Sequence, residues 1–358
     1  MGNASLIFRA GKNALQQIRD NGLTPEMVQV IAGAAGGPKW FVLRHLDQSI
    51  FLSWMAKRSS PLFLIGSSIG SWRFAAVSQG HAADAMEAFE EAYASQCYTH
   101  RPTAAEVTAT SRGILDQFLE DDAVDTILSH PFYRLNVMTV KSRQPVASDR
   151  PPVLAAGLAG AFFSNMIRRR LLGKFFERAL FYDPRDIPPF FQMNGFPITR
   201  TPLTRNNLKP ALLASGSIPL LMEGVSGMPD APKGVYRDGG IIDYHLDVPL
   251  NKGDQGIVLY PHYLDRVIPG WFDKALSWRH PSPDHMDNVL LLSPSPDFVR
   301  RLPHGKIPDR SDFKTFYHKD KDRIAYWKRT VNQSRELGDA FMDAVSSGRI
   351  RDLVVPLF

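Results

Sequence analysis

The side chains best suited to chemistry in this chain lie in three glycine-rich segments, and the second contains a serine at its centre. Gly66-Ser67-Ser68-Ile69-Gly70 directly follows the apolar run 62–65. A strand that turns sharply into a helix through G-x-S-x-G presents its serine at the apex, where the hydroxyl can attack a carbonyl carbon. The flanking glycines allow the backbone on either side to approach closely. The pattern predicts that Ser68 is a nucleophile; the alternative is a structural Gly/Ser turn.

The first glycine-rich segment, 33–37, also follows a predicted strand. Pro38 suits the first position of a helix, so the N–H groups of Gly36 and Gly37 can donate hydrogen bonds to an oxyanion. Lys39 follows closely enough to reinforce such a site or to contact an acidic head group. A phosphate-binding loop is the alternative, although the segment matches neither G-x-G-x-x-G nor G-x-x-x-x-G-K-[ST].

The third segment is Asp238-Gly239-Gly240, which follows a short predicted strand. A serine hydroxyl needs a base that accepts its proton during attack. The two glycines permit an unusual backbone path, which would let the Asp238 carboxylate approach a serine closely. An ordinary Asp-Gly turn is the alternative for this segment taken alone.

Short apolar strands alternate with helices along the chain, which favours an α/β fold. We expect a three-layer α/β/α sandwich with a mostly parallel central sheet. Since active sites in such sheets lie at the carboxyl ends of the strands, the three glycine-rich turns are expected to meet there. We predict one domain over 1–358. Its predicted parts are a core at about 27–260, a cap-like or lid-like insertion at about 141–190, and a helical segment at about 310–350.

Taken together, the motifs resemble those of the patatin-like phospholipase family over roughly residues 27 to 250. The residues that carry the resemblance are Gly36-Gly37-Pro38-Lys39, Gly66-Ser67-Ser68-Ile69-Gly70, Asp238-Gly239-Gly240 and Ala211-Leu212-Leu213-Ala214-Ser215-Gly216-Ser217-Ile218-Pro219. The chain departs from the family pattern at Ala35, Trp40 and Ser217, and these positions bear on the shape of the acyl pocket and the substrate more than on the reaction.

The resemblance implies a patatin-like α/β fold and a Ser-Asp dyad. Ser68 would be the nucleophile, Asp238 the base that activates it directly, and Gly36 and Gly37 the oxyanion hole. An acyl-Ser68 intermediate would be hydrolysed by water. Substrates in this family are acyl esters of lipids, often phospholipids, and the chemistry requires no metal or other cofactor.

Two other catalytic arrangements remain open from the residues alone. An α/β-hydrolase triad would need a histidine after Asp238, and none of the six is marked out by a glycine-framed loop. The candidates are His245, His262, His280, His285, His304 and His318. A metal site would use Asp243, His245 and Asp247, or His280 and His285.

Composition narrows the class of protein. The chain has 358 residues, 44% apolar, a net charge of +6 and one cysteine, Cys97. An internal disulfide is therefore impossible, and with no secretory signal or long apolar run we expect a cytoplasmic protein. Because only Arg168-Arg169-Arg170 forms a basic run, we expect no nucleic-acid partner. The oligomeric state does not follow from the sequence.

The segment 155–178 combines apolar residues with clustered arginines. That mixture suits an amphipathic helix at a membrane surface, either as a docking element or as a lid over Ser68. A buried cap helix whose arginines point outward is an equal alternative. This segment also keeps open a third function, that of a catalytically weak, membrane-associated lipid-binding protein.

Overall fold

The computed structural model describes residues 5–251, 253 and 256–358, and a ten-stranded β-sheet lies at its centre. The strands are β1 (Leu6–Ala10), β2 (Val28–Gly33), β3 (Leu62–Ser67), β4 (Tyr133–Ser142), β5 (Phe176–Tyr182), β6 (Ile198–Pro202), β7 (Val235–Asp238), β8 (Ile257–Pro261), β9 (Val289–Pro294) and β10 (Val354–Pro356).

Helices cover the sheet. The α-helices are α1 (Lys12–Asn21), α2 (Arg44–Gln48), α3 (Ile69–Val77), α4 (Ala82–Ala94), α5 (Ala104–Phe118), α6 (Asp121–Ser129), α7 (Pro151–Ile167), α8 (Leu208–Gly216), α9 (Pro283–Met286), α10 (Pro296–Arg301), α11 (Ser311–Thr315), α12 (Asp320–Gln333), α13 (Arg335–Ser346) and α14 (Ile350–Leu353). Shorter 3₁₀ helices are Pro25–Met27, Gly37–Leu43, Arg169–Lys174, Gly239–Ile241, Trp271–Ala275 and Pro303–Gly305, and Ser49–Trp54 is a π-helix.

The sheet is mostly parallel, as the alternation of strands and helices predicts. Its order is β10-β1-β9-β8-β2-β3-β4-β5-β6, with β7 also paired to β4. The pairs β1–β9, β4–β5 and β4–β7 are antiparallel and the other six are parallel. Strands β8 and β9 are buried along their whole length, which is typical of parallel strands covered by helices on both faces. The predicted α/β class with a mostly parallel sheet is therefore confirmed.

The sheet extends beyond the predicted core of 27–260. Strands β1, β9 and β10 lie outside that range and form one edge of the sheet. Strand β5 lies within the predicted insertion 141–190, yet it pairs with β4 along seven residues. The end of that segment therefore belongs to the sheet, because its apolar residues are buried against a neighbouring strand rather than in a separate cap.

The way β3 and β7 share one edge of β4 explains how distant residues meet. Strand β3 runs parallel to β4 and ends with Ser67 opposite Met138. Strand β7 runs antiparallel to β4 along the same edge and ends with Asp238 opposite Thr139. The carboxyl ends of β3 and β7 therefore point toward each other. This register places the residue after β3, Ser68, beside the last residue of β7.

No helix in the described part of the chain is long and apolar enough to cross a membrane.

Candidate active site

Ser68 occupies a sharp turn between β3 and α3. Its backbone dihedral angles are φ 55° and ψ −127°, a region that residues with a side chain rarely adopt and that costs roughly 1–3 kcal/mol. The flanking glycines make the turn possible. A Cβ on Gly66 would lie 2.3 Å from the nitrogen of Ser71, and a Cβ on Gly70 would lie 2.1 Å from the carbonyl oxygen of Gly33. The G-x-S-x-G spacing thus allows α3 to pack directly onto β2 and β3.

The hydroxyl of Ser68 donates a hydrogen bond directly to Asp238. The distance from Ser68 Oγ to Asp238 Oδ2 is 2.8 Å. The other carboxylate oxygen, Oδ1, accepts a 2.7 Å hydrogen bond from the N–H of Gly240. Both side chains are almost fully buried, with 4% and 5% of their surfaces exposed. The arrangement orients one carboxylate oxygen toward the serine and anchors the other on backbone.

The environment of Asp238 raises the pKa of its carboxyl group. Burial is the largest cause, because a desolvated carboxylate is disfavoured relative to the neutral acid. The positive charge of Arg310, the hydrogen bonds from Ser68 and Gly240, and the charge of Lys274 oppose this rise. The carboxylate of Asp238 is therefore a stronger base than a solvated aspartate, which favours proton transfer to it from a hydroxyl.

The raised pKa predicts an acid limit to activity. If Asp238 is the base for Ser68, it must be ionised to accept the hydroxyl proton, so kcat/KM for a substrate that Ser68 attacks should fall as pH decreases through that pKa. The midpoint should lie above the ordinary aspartate range. A pH profile of kcat/KM, measured on a substrate that does not itself titrate, gives this midpoint. A profile that stays flat down to the ordinary aspartate range would contradict the assignment of Asp238 as the base.

Gly36 and Gly37 follow the end of β2, the strand that pairs with β3. Within the part of the chain that the structure describes, their N–H groups donate to no protein acceptor. Gly37 has φ 56°, a conformation that favours glycine, and it lines the same cavity as Ser68. A Cβ on Gly36 would lie 2.6 Å from the ring of Tyr263. The first motif therefore leaves two backbone donors free, and that of Gly37 borders the cavity that contains Ser68.

A chain of hydrogen bonds holds this oxyanion loop, residues 35–37, in place. The N–H of Ile268 donates to Nδ1 of His245 at 2.9 Å, so the neutral imidazole carries its proton on Nε2. Burial lowers the pKa of His245 well below its usual value, which keeps the ring neutral. Nε2 then donates to the Tyr263 hydroxyl at 2.8 Å, and that hydroxyl donates to the carbonyl oxygen of Ala35. Neither Tyr263 nor His245 was predicted to have this role from sequence.

Ser215 holds the nucleophile turn from the other side. Its hydroxyl accepts a 2.9 Å hydrogen bond from the N–H of Ser68 and donates to the carbonyl oxygen of Met138 at 2.6 Å. The N–H of Asp238 in turn donates to the carbonyl oxygen of Ser217 at 3.0 Å. The segment 211–219 therefore links Ser68, β4 and Asp238. Ser215 belongs to one of the four sequence motifs, but its position in the motif did not indicate this contact.

A cavity of about 910 Å³ opens onto Ser68. Its walls are largely apolar side chains from α3, α5, α11 and the loop after α8, including Trp72, Ile114, Met222 and Phe313. An acyl chain fits such a lining, because burying each methylene contributes about 0.8 kcal/mol. No residue of 141–190, the predicted lid, lines this cavity.

Lys39 follows the oxyanion loop and contacts the tyrosine that supports it. Its Nζ is 4.9 Å from the centre of the Tyr263 ring, and Lys39 does not line the cavity at Ser68. Burial lowers the pKa of its amine, an effect that nearby Arg310 and Lys306 reinforce and Asp309 opposes. Lys39 therefore contributes positive charge near the site without lining its cavity.

The histidine and metal alternatives find no support in the contacts. In residues 5–251, 253 and 256–358, no histidine hydrogen-bonds to Ser68 or Asp238, and no group of three ligating side chains could hold a metal ion. Asp243 instead binds Arg178 through two 2.7 Å hydrogen bonds. Asp247 accepts from the N–H of Ser282 and contacts His285.

In comparisons with known proteins, no protein-family model and no curated protein matches the chain.

Proposed function

We propose that this protein is a patatin-like lipid acyl hydrolase that cleaves carboxylic esters through a Ser-Asp dyad. The observation that carries the proposal is the direct 2.8 Å hydrogen bond from Ser68 Oγ to Asp238 Oδ2 at a strained, glycine-framed turn. The free N–H groups of Gly36 and Gly37 and the apolar cavity support it. The order of the four motifs in the sequence supports it independently.

In the proposed reaction, Asp238 accepts the hydroxyl proton while Ser68 Oγ bonds to the ester carbonyl carbon. The N–H groups of Gly36 and Gly37 stabilise the oxyanion, and losing one such donor costs about 3–4 kcal/mol. The C–O bond to the alcohol then breaks, and the Asp238 proton passes to the departing oxygen. Water attacks the acyl-Ser68 ester in the second half: Asp238 takes one water proton and returns it to Ser68 Oγ as the acid leaves.

Covalent labelling tests this proposal directly. A fluorophosphonate should phosphonylate the protein, and peptide mass spectrometry should locate the adduct on Ser68 rather than on Ser67 or Ser71. Failure to react, or an adduct confined to another residue, would contradict the assignment.

We further propose that the protein reaches its lipid substrate by peripheral contact with an anionic membrane through α7. The helix is apolar along its length, and its buried side packs against the segment that follows Asp238, including Ile241 and Ile242. Its other side is exposed: Phe163 and Ile167 have 61% and 81% of their surfaces accessible, and Val153 and Met166 are also exposed. We call these four residues the α7 apolar face.

Positive charge adjoins the α7 apolar face. Arg168, Arg170 and Lys174 are exposed, and none forms an ion pair within the described residues. Trp278, 63% exposed, is adjacent because its neighbour Arg279 donates to the carbonyl oxygen of Asn165 at 2.9 Å. An apolar helix face with flanking basic residues and an interfacial tryptophan matches the chemistry of an anionic lipid surface.

The location of α7 suits access to the cavity. Asp149, two residues before α7, accepts a 3.1 Å hydrogen bond from the N–H of Gly224. Leu220 and Leu221 precede that glycine and are both exposed, and Leu221 lines the cavity that reaches Ser68. These contacts connect the start of α7 with the segment 220–224, which contributes Leu221 to the cavity wall.

We predict that the double variant Phe163→Ser/Ile167→Ser binds vesicles of phosphatidylcholine and phosphatidylserine at least about tenfold more weakly, since each apolar side chain contributes about 1.5–3 kcal/mol when buried. Hydrolysis of a short soluble ester should be unchanged. Sedimentation with vesicles measures the binding. Ile187→Ser, which removes an exposed apolar residue elsewhere, is the matched control. Equal vesicle binding by the double variant and the wild type would refute docking through α7 without affecting the proposed hydrolase.

A further inference from the structure

Three basic side chains surround the oxyanion loop, and we call Lys39, Lys274 and Arg310 the cationic cluster. Arg310 Nε lies 3.0 Å from the point that a Cβ of Gly37 would occupy. The Nζ of Lys274 lies 4.3 Å from the centre of the Tyr244 ring, and the Nζ of Lys39 lies over the Tyr263 ring. The two rings belong to the same wall, since Tyr244 accepts the N–H of Ala35 on its carbonyl oxygen and Tyr263 donates to the Ala35 carbonyl.

No member of the cationic cluster forms an ion pair or a side-chain hydrogen bond within residues 5–251, 253 and 256–358. The nearby Asp309 is already engaged by Lys306 at 3.3 Å. Asp238 is engaged by Ser68 and Gly240. The site therefore holds more positive than negative charge. Holding partly desolvated charges of one sign close together costs free energy unless a counter-ion binds between them.

The pKa shifts of the two lysines agree with this excess. Burial, reinforced by the charges of Lys39 and Arg310, lowers the pKa of Lys274 to about 8, while the charges of Asp238 and Asp309 oppose the shift. Arg310 likewise lowers the pKa of Lys39. Arg310 and Lys274 also act on the carboxyl group of Asp238, as expected of neighbours around one small region.

The position of the cluster identifies the part of the substrate it would contact. The apolar cavity at Ser68 suits the acyl chain, so the alcohol part must leave on the side of the group that protonates it, Asp238. A recess of about 20 Å³ lies on that side, between Asp238, Tyr244 and Trp271. Arg310 lines both the recess and the large cavity, and Lys274 follows Trp271 in the same 3₁₀ helix.

We propose that Arg310, with Lys39 and Lys274 adding positive charge around it, forms a subsite for a phosphate or carboxylate carried by the alcohol part of the ester, so that the preferred substrate is an acyl ester of an anionic alcohol. This inference rests on the proposed function and deepens it. Arg310 is its central member, because a guanidinium can bind either anion through two parallel hydrogen bonds. Arg310 and Lys274 lie outside the segment that carries the sequence motifs, so the motifs do not imply this subsite.

The test compares two soluble substrates that differ only in charge, 1-octanoylglycerol and 1-octanoylglycerol 3-phosphate. Wild-type protein should have the higher kcat/KM for the phosphate ester. In Arg310→Gln, the ratio of the two kcat/KM values should fall at least about tenfold, the effect of losing a charge-assisted contact. The ratio is informative because a changed Asp238 pKa affects both substrates equally. Lys321→Gln removes the same charge from an exposed site and should leave the ratio unchanged.

The octanoyl ester of glycerate, which carries a carboxylate in place of the phosphate, distinguishes a subsite for carboxylates from one for phosphate. If it equals the phosphate ester and loses the same preference in Arg310→Gln, the subsite accepts carboxylates; a preference for the phosphate ester alone assigns it to phosphate. A ratio that Arg310→Gln does not change would overturn the subsite, even if Ser68 still hydrolyses both esters.

A binding experiment keeps the subsite testable apart from catalysis. Ser68→Ala cannot turn over the phosphate ester, so calorimetry can measure its binding at equilibrium. The double variant Ser68→Ala/Arg310→Gln should bind it at least about tenfold more weakly. Equal affinity would refute the subsite, whereas absence of Ser68-dependent hydrolysis of both esters would instead refute the proposed function.

Discussion

Replacing Ser68 with alanine should reduce ester hydrolysis by a factor on the order of 10⁴ or more, the usual consequence of removing a catalytic serine nucleophile. Without Oγ no acyl intermediate can form, while the oxyanion donors and the cavity remain. Fluorophosphonate labelling should be lost as well. Kinetics on a short soluble ester, which does not depend on membrane binding, measures the effect.

Ser67→Ala is the matched control for Ser68→Ala. Ser67 is the adjacent residue, and its hydroxyl is buried without a hydrogen-bond partner among the described residues. Its removal should therefore cost little stability and leave labelling near the wild-type level. Wild-type turnover or labelling in Ser68→Ala would exclude Ser68 as the nucleophile, and a loss confined to Ser67→Ala would move the nucleophile by one residue.

Replacing Asp238 with asparagine should lower kcat/KM by about 10²–10⁴, the usual contribution of a general base. The amide has nearly the same shape, and its oxygen can still accept the hydrogen bond from Gly240, so the fold should be retained. Unlike a carboxylate, the amide cannot take the proton of Ser68. The residual activity should also lose the acid limit that the raised Asp238 pKa imposes on the wild type.

Asp247→Asn is the control for Asp238→Asn. It removes a partly buried carboxylate of similar type that contacts Ser282 and His285 rather than Ser68. Activity should stay near the wild-type level, with circular dichroism confirming that both variants are folded. A greater loss in Asp247→Asn than in Asp238→Asn would instead favour a role for the Asp247–His285 pair.

Much of the candidate site follows from local sequence. Gly66 and Gly70 are needed wherever a strand turns tightly into a helix through a serine, so the position of Ser68 was predictable. The apolar runs of β2, β3 and β8 indicated buried parallel strands, and the carboxyl ends of such strands share one edge of the sheet. That rule is sufficient to predict that the first two glycine-rich turns lie close together.

The pairing of Ser68 with Asp238 depended on more than that rule. Strand β7 is antiparallel to β4, and only its register with Thr139 makes its end meet the end of β3. The motif resemblance predicted the partnership, but the physical cause is the shared edge of β4. The same applies to Ser215, whose hydroxyl bridges Ser68 and Met138 across three elements.

The amino-acid sequence by itself determined the α/β class, the sharp turn at Ser68, the glycine-rich loop at Gly36 and Gly37, and the position of Asp238 at the end of a short strand. Each depends on backbone geometry or hydrophobic patterning within a short segment. Only the tertiary structure decided which distant side chains surround them: Tyr263 and His245 behind the oxyanion loop, and Lys274 and Arg310 beside the base. Their roles come from contacts between segments far apart in the chain, and such contacts follow from packing and strand register, which no local pattern of residues specifies.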